Sequence, residues 1–468
     1  MEFQLYDSVK KEKVIFKPIK NKEATIYVCG PTVYDDAHLG HARSALSFDL
    51  LKRTLTALGF KVTLAKNFTD IDDKIIKKIE ESNKTLKEIT NFYIDRYLED
   101  MDAIGVLRAD IEPKATQSLK AIENMIQSLI DKGCAYKLDN GDIYFDTSKD
   151  KKYGSISHMV VDDNLTQSRI ETINGKQNEK DFALWKACKD SNDICFENSL
   201  PSGRPGWHIE CSAMIAKYFK GDDNYCIDIH CGGADLLFPH HENEATQTRC
   251  ALNKEIAKYW MHNGFVTIDG EKMSKSLGNS FFLKDALKIY DGELLRYYLI
   301  SINYRNDFNF SEEELLNSKK RLDKLYRLKK RLYGVKVGNC DIEFKNQLLE
   351  AMCDDLNSSK AMAIIDDMIA SANESLDKEA KNKILKQEIL GNIEFISTLL
   401  GVGSKDAIEW FQQGVSNEDK AKIESLIEQR SHAKKAKDYT KADEIRDELK
   451  SMGIELMDTP NGTKWEKI

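Results

Sequence analysis

Thr25-Ile26-Tyr27-Val28-Cys29 is an apolar, β-branched run that ends where a loop delivers His38-Leu39-Gly40-His41, and Ala42 to Leu58 then follows a helical period. Ala45, Leu46, Phe48, Leu50, Leu51, Leu55 and Leu58 form one broad apolar face suited to packing on a parallel sheet. Val62-Thr63-Leu64 alternates again and completes a strand–helix–strand unit. The expected fold class is α/β, built on a Rossmann-like parallel sheet.

Outward from this unit the pattern changes at about Glu112 and stays changed to Gly206. An amphipathic helix near Ser118 to Lys132 is followed by short strand-like pieces such as Asp142-Ile143-Tyr144-Phe145, which reads as an insertion. The α/β pattern resumes at Tyr225-Cys226-Ile227-Asp228-Ile229, with a Gly-containing loop, a helix around His241 to Ala251 and a strand at Gly264 to Ile268. The catalytic-type domain is therefore expected in two halves, 1–111 and 207–282, around an inserted connective domain, 112–206. Beyond Leu283 the sequence is almost wholly helical. Expected there are a basic helical region over 283–338, a helical bundle over 339–403, and a small C-terminal domain over 404–468 ending in a Gly-turn-strand. Leu322, Leu325, Leu328 and Leu332 recur at helical spacing among Lys319, Lys320, Arg321, Lys324, Arg327, Lys329, Lys330 and Arg331. Such a run is either a solvated helix face or a phosphate-contacting one.

A chain of 468 residues exceeds one ordinary core, and 41% hydrophobic with 31% charged residues is a globular balance. No run reaches the length of a membrane span, and Met1 to Ile19 has scattered lysines with no signal-like apolar core, so a cytoplasmic protein is expected. Its ten cysteines are expected to be reduced thiols, structural or metal-bound, with no disulfides. The net charge of −8 argues against overall attraction to nucleic acid and leaves only local basic patches for it.

Three constellations can carry chemistry. His38 and His41 flank Gly40 at a helix start, where free N–H groups favour an anion; they are either a phosphate site, two ordinary helix histidines, or half of a metal site. Lys272-Met273-Ser274-Lys275-Ser276 is a cationic loop, either neutralising a leaving pyrophosphate or simply a surface turn. Cys29, Cys211 and the run His240-His241-Glu242-Asn243-Glu244 form the third. If Pro239 opens a helix at its first position, His240 and Glu244 face the same way. Two thiolates, an imidazole and a carboxylate complete a tetrahedral zinc site; otherwise Cys29 is a buried strand thiol and the His/Glu run a helix start.

Taken together, these stretches resemble the cysteinyl-tRNA synthetase family of class I aminoacyl-tRNA synthetases, over nearly the whole chain. The resemblance rests on Cys29-Gly30-Pro31-Thr32-Val33-Tyr34-Asp35, His38-Leu39-Gly40-His41-Ala42-Arg43, Asn67-Phe68-Thr69-Asp70-Ile71-Asp72-Asp73-Lys74 and Gly206-Trp207-His208-Ile209-Glu210-Cys211-Ser212-Ala213-Met214. Phe238-Pro239-His240-His241-Glu242-Asn243-Glu244, the Lys272–Ser276 loop and Asn461-Gly462-Thr463-Lys464-Trp465 continue it.

The resemblance implies ATP-dependent formation of cysteinyl-adenylate and transfer of cysteine to the terminal adenosine of its tRNA. It implies one zinc on Cys29, Cys211, His240 and Glu244, selecting thiol over hydroxyl, and Mg²⁺ with ATP. His38, His41, Lys272 and Lys275 would be catalytic and, with Gly40 and Asp235, ATP-binding, the Gly232-Gly233 pair before Asp235 allowing close ligand approach. Gly30, Thr69 and Trp207 would line the amino-acid pocket. Residues 283–338 would contact the tRNA stem, and 404–468 the anticodon, with Trp465 beside Lys464 as a base contact. A monomer is expected. Cys231 departs from the family's glycine, and with Cys226 is read as an inert buried thiol. The alternatives are a ligase joining cysteine to an amino-sugar inositol, or a non-catalytic RNA-binding paralogue.

Overall fold

A computed structural model describes residues 1–158, 175–189, 193–268, 271–272, 281–459 and 462–467. The described chain divides into two compact units, one of residues 1–315 with 346–363 and one of 316–345 with 364–468.

The first unit is organised by a four-stranded sheet in the order Glu255–Asn263, Tyr225–Gly233, Glu23–Val28, Lys61–Lys66, with every pair parallel. Glu23–Val28 and Lys61–Lys66 are joined by the helix Leu39–Ala57, which buries Leu39, Leu46, Phe48, Leu50, Leu51 and Leu55. Each fully buried leucine there contributes about 2 kcal/mol. The first written strand is central, the second lies on one side and the later two lie on the other, so the strand order reverses beside Glu23–Val28.

Between the halves, helix Leu119–Asp131 packs Ile122, Ile126 and Leu129 with Phe145, Leu184, Trp185 and Ile209. The insertion carries a separate antiparallel sheet, Ala135–Lys137, Ile143–Phe145, Phe182–Ala187 and Gly203–Pro205. The α/β class, its split by an insertion and the helical region after it follow the expectation. Two features do not. The fourth parallel strand, Glu255–Asn263, was not foreseen, and Val266–Ile268 instead pairs with Phe308–Phe310 and Glu271–Lys272. Cys188 and Cys195 are joined by a disulfide, against the expectation of reduced thiols alone. The return of the chain explains it: Cys188 N–H donates to Ser202 O at 3.0 Å and Phe196 bridges to Gly203, which leaves the two Cα atoms 6.0 Å apart.

The second unit is mainly helical and ends in the hairpin Ile454–Thr459 with Gly462–Lys467. Trp465 is only 5% exposed, packed with Ile423, Leu426, Ile445, Leu449 and Ile454. Its indole is a core residue, so the expected stacking on an anticodon base is not what this placement provides. Much of the basic helix is internally paired: Arg321 with Asp366, Lys330 with Glu466, Arg331 with Asp377, while Lys329 donates to the Gly403 and Lys405 carbonyls. Among the described residues, no helix is long and apolar enough to cross a membrane.

Candidate functional site

Open parallel sheets bind ligands outside the carboxyl ends of their strands where the order reverses. Here that crevice lies between the ends of Glu23–Val28 and Tyr225–Gly233. Cys29 leaves the first strand with its N–H donating to the Cys231 carbonyl at 3.0 Å. Helix Trp207–Tyr218 supplies Cys211, helix Glu242–Leu252 supplies Glu244, and the wider-wound turn Leu237–His241 supplies His240. Pro239 thus lies within that turn rather than at the first position of the helix, yet His240 still reaches Glu244.

Cys29 Sγ lies 3.8 Å from Cys211 Sγ and 3.5 Å from Glu244 Oε1, and His240 Nε2 is 2.9 Å from the same oxygen. One ligand atom from each of the four falls within 4.8 Å of all the others. Two thiols, an imidazole and a carboxylate at this spacing fit a single four-coordinate ion. The four groups are also tightly linked electrostatically. Burial opposes charge on Glu244, but His230 and His240 hold its carboxyl well below the usual range. Burial likewise works against His240, while Glu244 and Cys211 push it up to about 10. The Cys29 thiol donates to Cys211 and, against burial, brings it down to about 6, whereas burial and its anionic neighbours drive Cys29 up.

A layer of histidines that was not singled out in the sequence surrounds these donors. His230 Nε2 lies 2.7 Å from Glu244 Oε2, with its ring stacked on Trp260 at 4.8 Å. His230 and His241 also form a second possible metal group with Cys29 and Glu244. His241 Nδ1 is 2.8 Å from His262 Nε2, and burial lowers both, His262 to about 3. His208 Nδ1 is 3.0 Å from His240 Nδ1, and burial first, then His240, takes His208 down to about 3. Cys231 follows His230 in the strand and so points to the opposite face. Cys226 belongs to an apolar cluster with Met214, Ile215 and Phe219. Among the described residues, neither thiol joins a metal-type group.

The expected pocket residues gather around Cys29. Gly30 N–H donates to Asn67 Oδ1 at 2.9 Å, and a Cβ on Gly30 would meet the Asn67 carbonyl at 1.6 Å, so only glycine fits. Thr69 and Pro31 exchange backbone contact through Thr69 N–H to Pro31 O at 3.2 Å, and Thr69 is buried. Trp207 is 38% exposed and stacks on His240 at 4.2 Å and 21°, an aromatic wall beside the donors.

His38 is the N-cap of helix Leu39–Ala57, accepting the Gly40 N–H at 3.1 Å, while His41 Nδ1 accepts the His38 N–H at 3.2 Å. Their rings stack at 3.8 Å. Gly40 makes room for the His38 ring, which a Cβ would meet at 2.9 Å. Lys272 lies in the short strand Glu271–Lys272, opposite Thr267, while Lys275 falls outside the described residues. The chain from Phe281 lies against the His38 region: Leu39 N–H donates to Phe281 O at 3.2 Å and Leu283 N–H to Ala37 O at 2.8 Å. Asp235 is exposed after Gly232 and Gly233. The space beside those glycines is taken by the protein itself, since a Cβ on Gly232 would meet the His241 ring at 2.8 Å and one on Gly233 the Asp235 carboxylate at 2.5 Å.

Residues 15–320 match the family model of class I (C) tRNA synthetase catalytic domains. The fold is shared with Mycobacterium tuberculosis methionyl-tRNA synthetase in complex with methionyl-adenylate, at TM-score 0.61 and 13% identity, covering 83% of this chain and 93% of that one. The LeuRS–tRNA–LeuAMS ternary complex of Agrobacterium radiobacter K84 gives TM-score 0.58 at 10% identity, over 84% of this chain and 86% of that one. The molecule is a class I aminoacyl-tRNA synthetase in architecture. Residues 347–402 match the DALR domain and 418–465 the cysteinyl-tRNA ligase anticodon binding domain. The cysteine–tRNA ligase of Sulfurovum sp. (strain NBC37-1) is 67% identical over 99% of this chain and 100% of its own length, and that of Helicobacter pylori (strain Shi470) 58% identical over 99% of each. The chain belongs to the cysteine–tRNA ligase family.

Proposed function

We propose that the chain activates cysteine with ATP, Mg²⁺ accompanying the nucleotide, to give cysteinyl-adenylate and pyrophosphate, and then passes cysteine to the terminal adenosine of its tRNA. The observation that carries this is the convergence of Cys29, Cys211, His240 and Glu244 within 4.8 Å at the sheet's switch point, in a chain of this family. These four residues would hold one zinc, and zinc bound there would offer a soft Lewis acid to the substrate thiol that serine's hydroxyl matches poorly.

Around it the chain's own groups orient and bind. Gly30, Thr69 and Trp207 shape the amino-acid pocket. His38 and His41, at a helix N-terminus, would take the ATP phosphates with Gly40 and Asp235, and Lys272 and Lys275 would follow the charge that develops on the leaving pyrophosphate. Residues 1–111 and 207–282 act as the two halves of the catalytic domain around 112–206. Residues 283–338 contact the tRNA stem, 339–403 form a helical bundle, and 404–468 take the anticodon. The enzyme works as a cytoplasmic monomer, one chain supplying every group in the site.

Pyrophosphate exchange into ATP should depend on cysteine and not on serine. His240→Ala should lose bound zinc and that preference, and retained zinc would sink the ligand assignment. Deleting residues after Ser416 should spare adenylate formation and weaken tRNA charging.

A further inference from the structure

Between strand Lys61–Lys66 and the helices Leu39–Ala57 and Leu86–Ala103 lies an open cavity of about 40 Å³. At roughly 10–15 Å³ per water it takes about three waters, the bulk of a short carboxylic acid. Its walls are mainly apolar, with Phe48, Leu64, Phe68, Leu98, Met101 and Leu107 among them. Most of the charged groups on the lining are committed elsewhere: Asp49 to Arg53 and Arg296, Lys52 to Asp110, and Arg108 to Asp102. Lys66 is the exception among the cations. Among the described residues its ammonium has no ion pair, and it donates a hydrogen bond only to the Tyr97 hydroxyl, over whose ring it lies at 4.8 Å. That hydroxyl, accepting from Lys66, has no acceptor for its own proton among the described residues. Burial brings the Lys66 ammonium down to about 8; Glu112, which also lines the cavity, and Asp49 temper that cost without pairing.

We propose that this cavity binds a short-chain monocarboxylate, its oxygens taken by the Lys66 ammonium and the Tyr97 hydroxyl and its alkyl chain by Phe48, Leu98 and Met101. Two adjacent donors, one of them cationic, match the two oxygens of a carboxylate, and the bond to a charged donor is the stronger kind. A cation surrounded by apolar walls is costly until an anion joins it, so the cavity favours an acid over its neutral amide. Lys66 is partly exposed, which leaves a way in without unfolding. The cavity is distinct from the metal-type cluster yet shares backbone with it: Val28, on its lining, precedes Cys29, and Lys66 and Phe68 flank Asn67, which accepts the Gly30 N–H. Occupancy there is independent of which amino acid the chain activates.

Butyrate, butyramide and butylamine share a chain and differ in charge. Each is titrated calorimetrically into the full chain in the presence of excess cysteine, with chloride holding the ionic strength constant. Butyrate should bind once per chain with a Kd on the order of 1 mM, and the amide and the amine at least about tenfold more weakly. Lys66→Met should weaken butyrate about tenfold or more and Tyr97→Phe about threefold to fivefold, since each removes one donor. Absence of butyrate binding, equal binding of butyramide, or an unchanged butyrate constant in Lys66→Met overturns the assignment. Tighter binding of butylamine also overturns it, by making Glu112 the anchoring group, and so does butyrate binding that excess cysteine abolishes, by placing the acid in the cysteine pocket. If Lys66→Met does not fold, Tyr97→Phe decides alone, and an unchanged butyrate constant there refutes the site.

Discussion

Replacing Gly30 by alanine would put a methyl carbon 1.6 Å from the Asn67 carbonyl oxygen, where ordinary contact begins at about 3.4 Å. The obstacle is backbone on both sides, so no rotamer change relieves it. The Cys29–Pro31 segment and the Asn67–Thr69 segment must part by about 1.8 Å, the difference between those two distances. That parting breaks the Gly30 N–H to Asn67 Oδ1 bond of 2.9 Å and moves Thr69 and Cys29 relative to one another. Misplacement by about 1 Å costs on the order of 100-fold in a positioned reaction. We therefore expect kcat/KM for cysteine in pyrophosphate exchange to fall about 100-fold, with circular dichroism unchanged. Gly40→Ala is the comparison, because its Cβ would meet only the His38 ring, at 2.9 Å, which a side-chain rotation can clear. Its loss should be smaller and fall on the ATP KM. Near-normal cysteine activity in Gly30→Ala would refute the view that close backbone approach fixes this pocket.

Three further outcomes are expected. Asp49 is fully buried between Arg296 and Arg53, with Arg53 at 2.8 Å, so Asp49→Ala strands a buried guanidinium and should destabilise the first unit by about 3–5 kcal/mol in chemical denaturation; a loss below about 1 kcal/mol would contradict it. Burial brings Lys66, whose ammonium meets the Tyr97 hydroxyl, down to about 8 despite Glu112 and Asp49. A lysine with a depressed folded value carries a native-state penalty that is present below about pH 8 and relieved as pH rises toward about 10.4. Lys66→Met should accordingly raise the melting temperature at pH 7, by the equivalent of about 1–2 kcal/mol given its partial exposure, with the gain shrinking by pH 10; a pH-independent gain would speak against the cause. Finally, because Trp207 stacks on His240 at 4.2 Å while Trp260 stacks on His230, chelation of bound metal should change tryptophan emission more in the parent protein than in Trp207→Phe, and identical responses would detach Trp207 from the site.

The first strand–helix–strand unit was legible because each part obeys a clean period: Ile26 and Val28 end a strand, and the apolar positions of 39–57 fall on one helical face. Glu255–Asn263 was not legible for the opposite reason. It is buried along most of its length, so its residues do not alternate, and Lys258 interrupts the apolar run. That strand carries Trp260 and His262, and its loss from the sequence reading hid the outer histidine layer. Cys29, Cys211, His240 and Glu244 could be grouped because soft and borderline ligands in one chain have few common purposes, whereas His208 and His230 contact the donors only through folding. His38 could be placed at a helix start but not as its cap, since the sequence does not reveal which side of the boundary a residue falls on. Trp465 illustrates the limit for aromatics: beside Lys464 in the sequence it reads as a surface contact, and only the packing of Ile423 and Leu449 against it makes it core.

Cys29 stands 182 residues from Cys211 and 215 from Glu244, with the whole insertion written between them. During synthesis, the first half of the sheet is complete long before the residues that gather around Cys29 exist, and a lone Cys29 would offer an ion only one weak anchor. A metal held by all four residues is thus a late event, possible only after the insertion has folded aside and the later strands have docked against Glu23–Val28. Its capture would close a long loop around a finished core, and so act as a seal on assembly as well as a reader of the substrate.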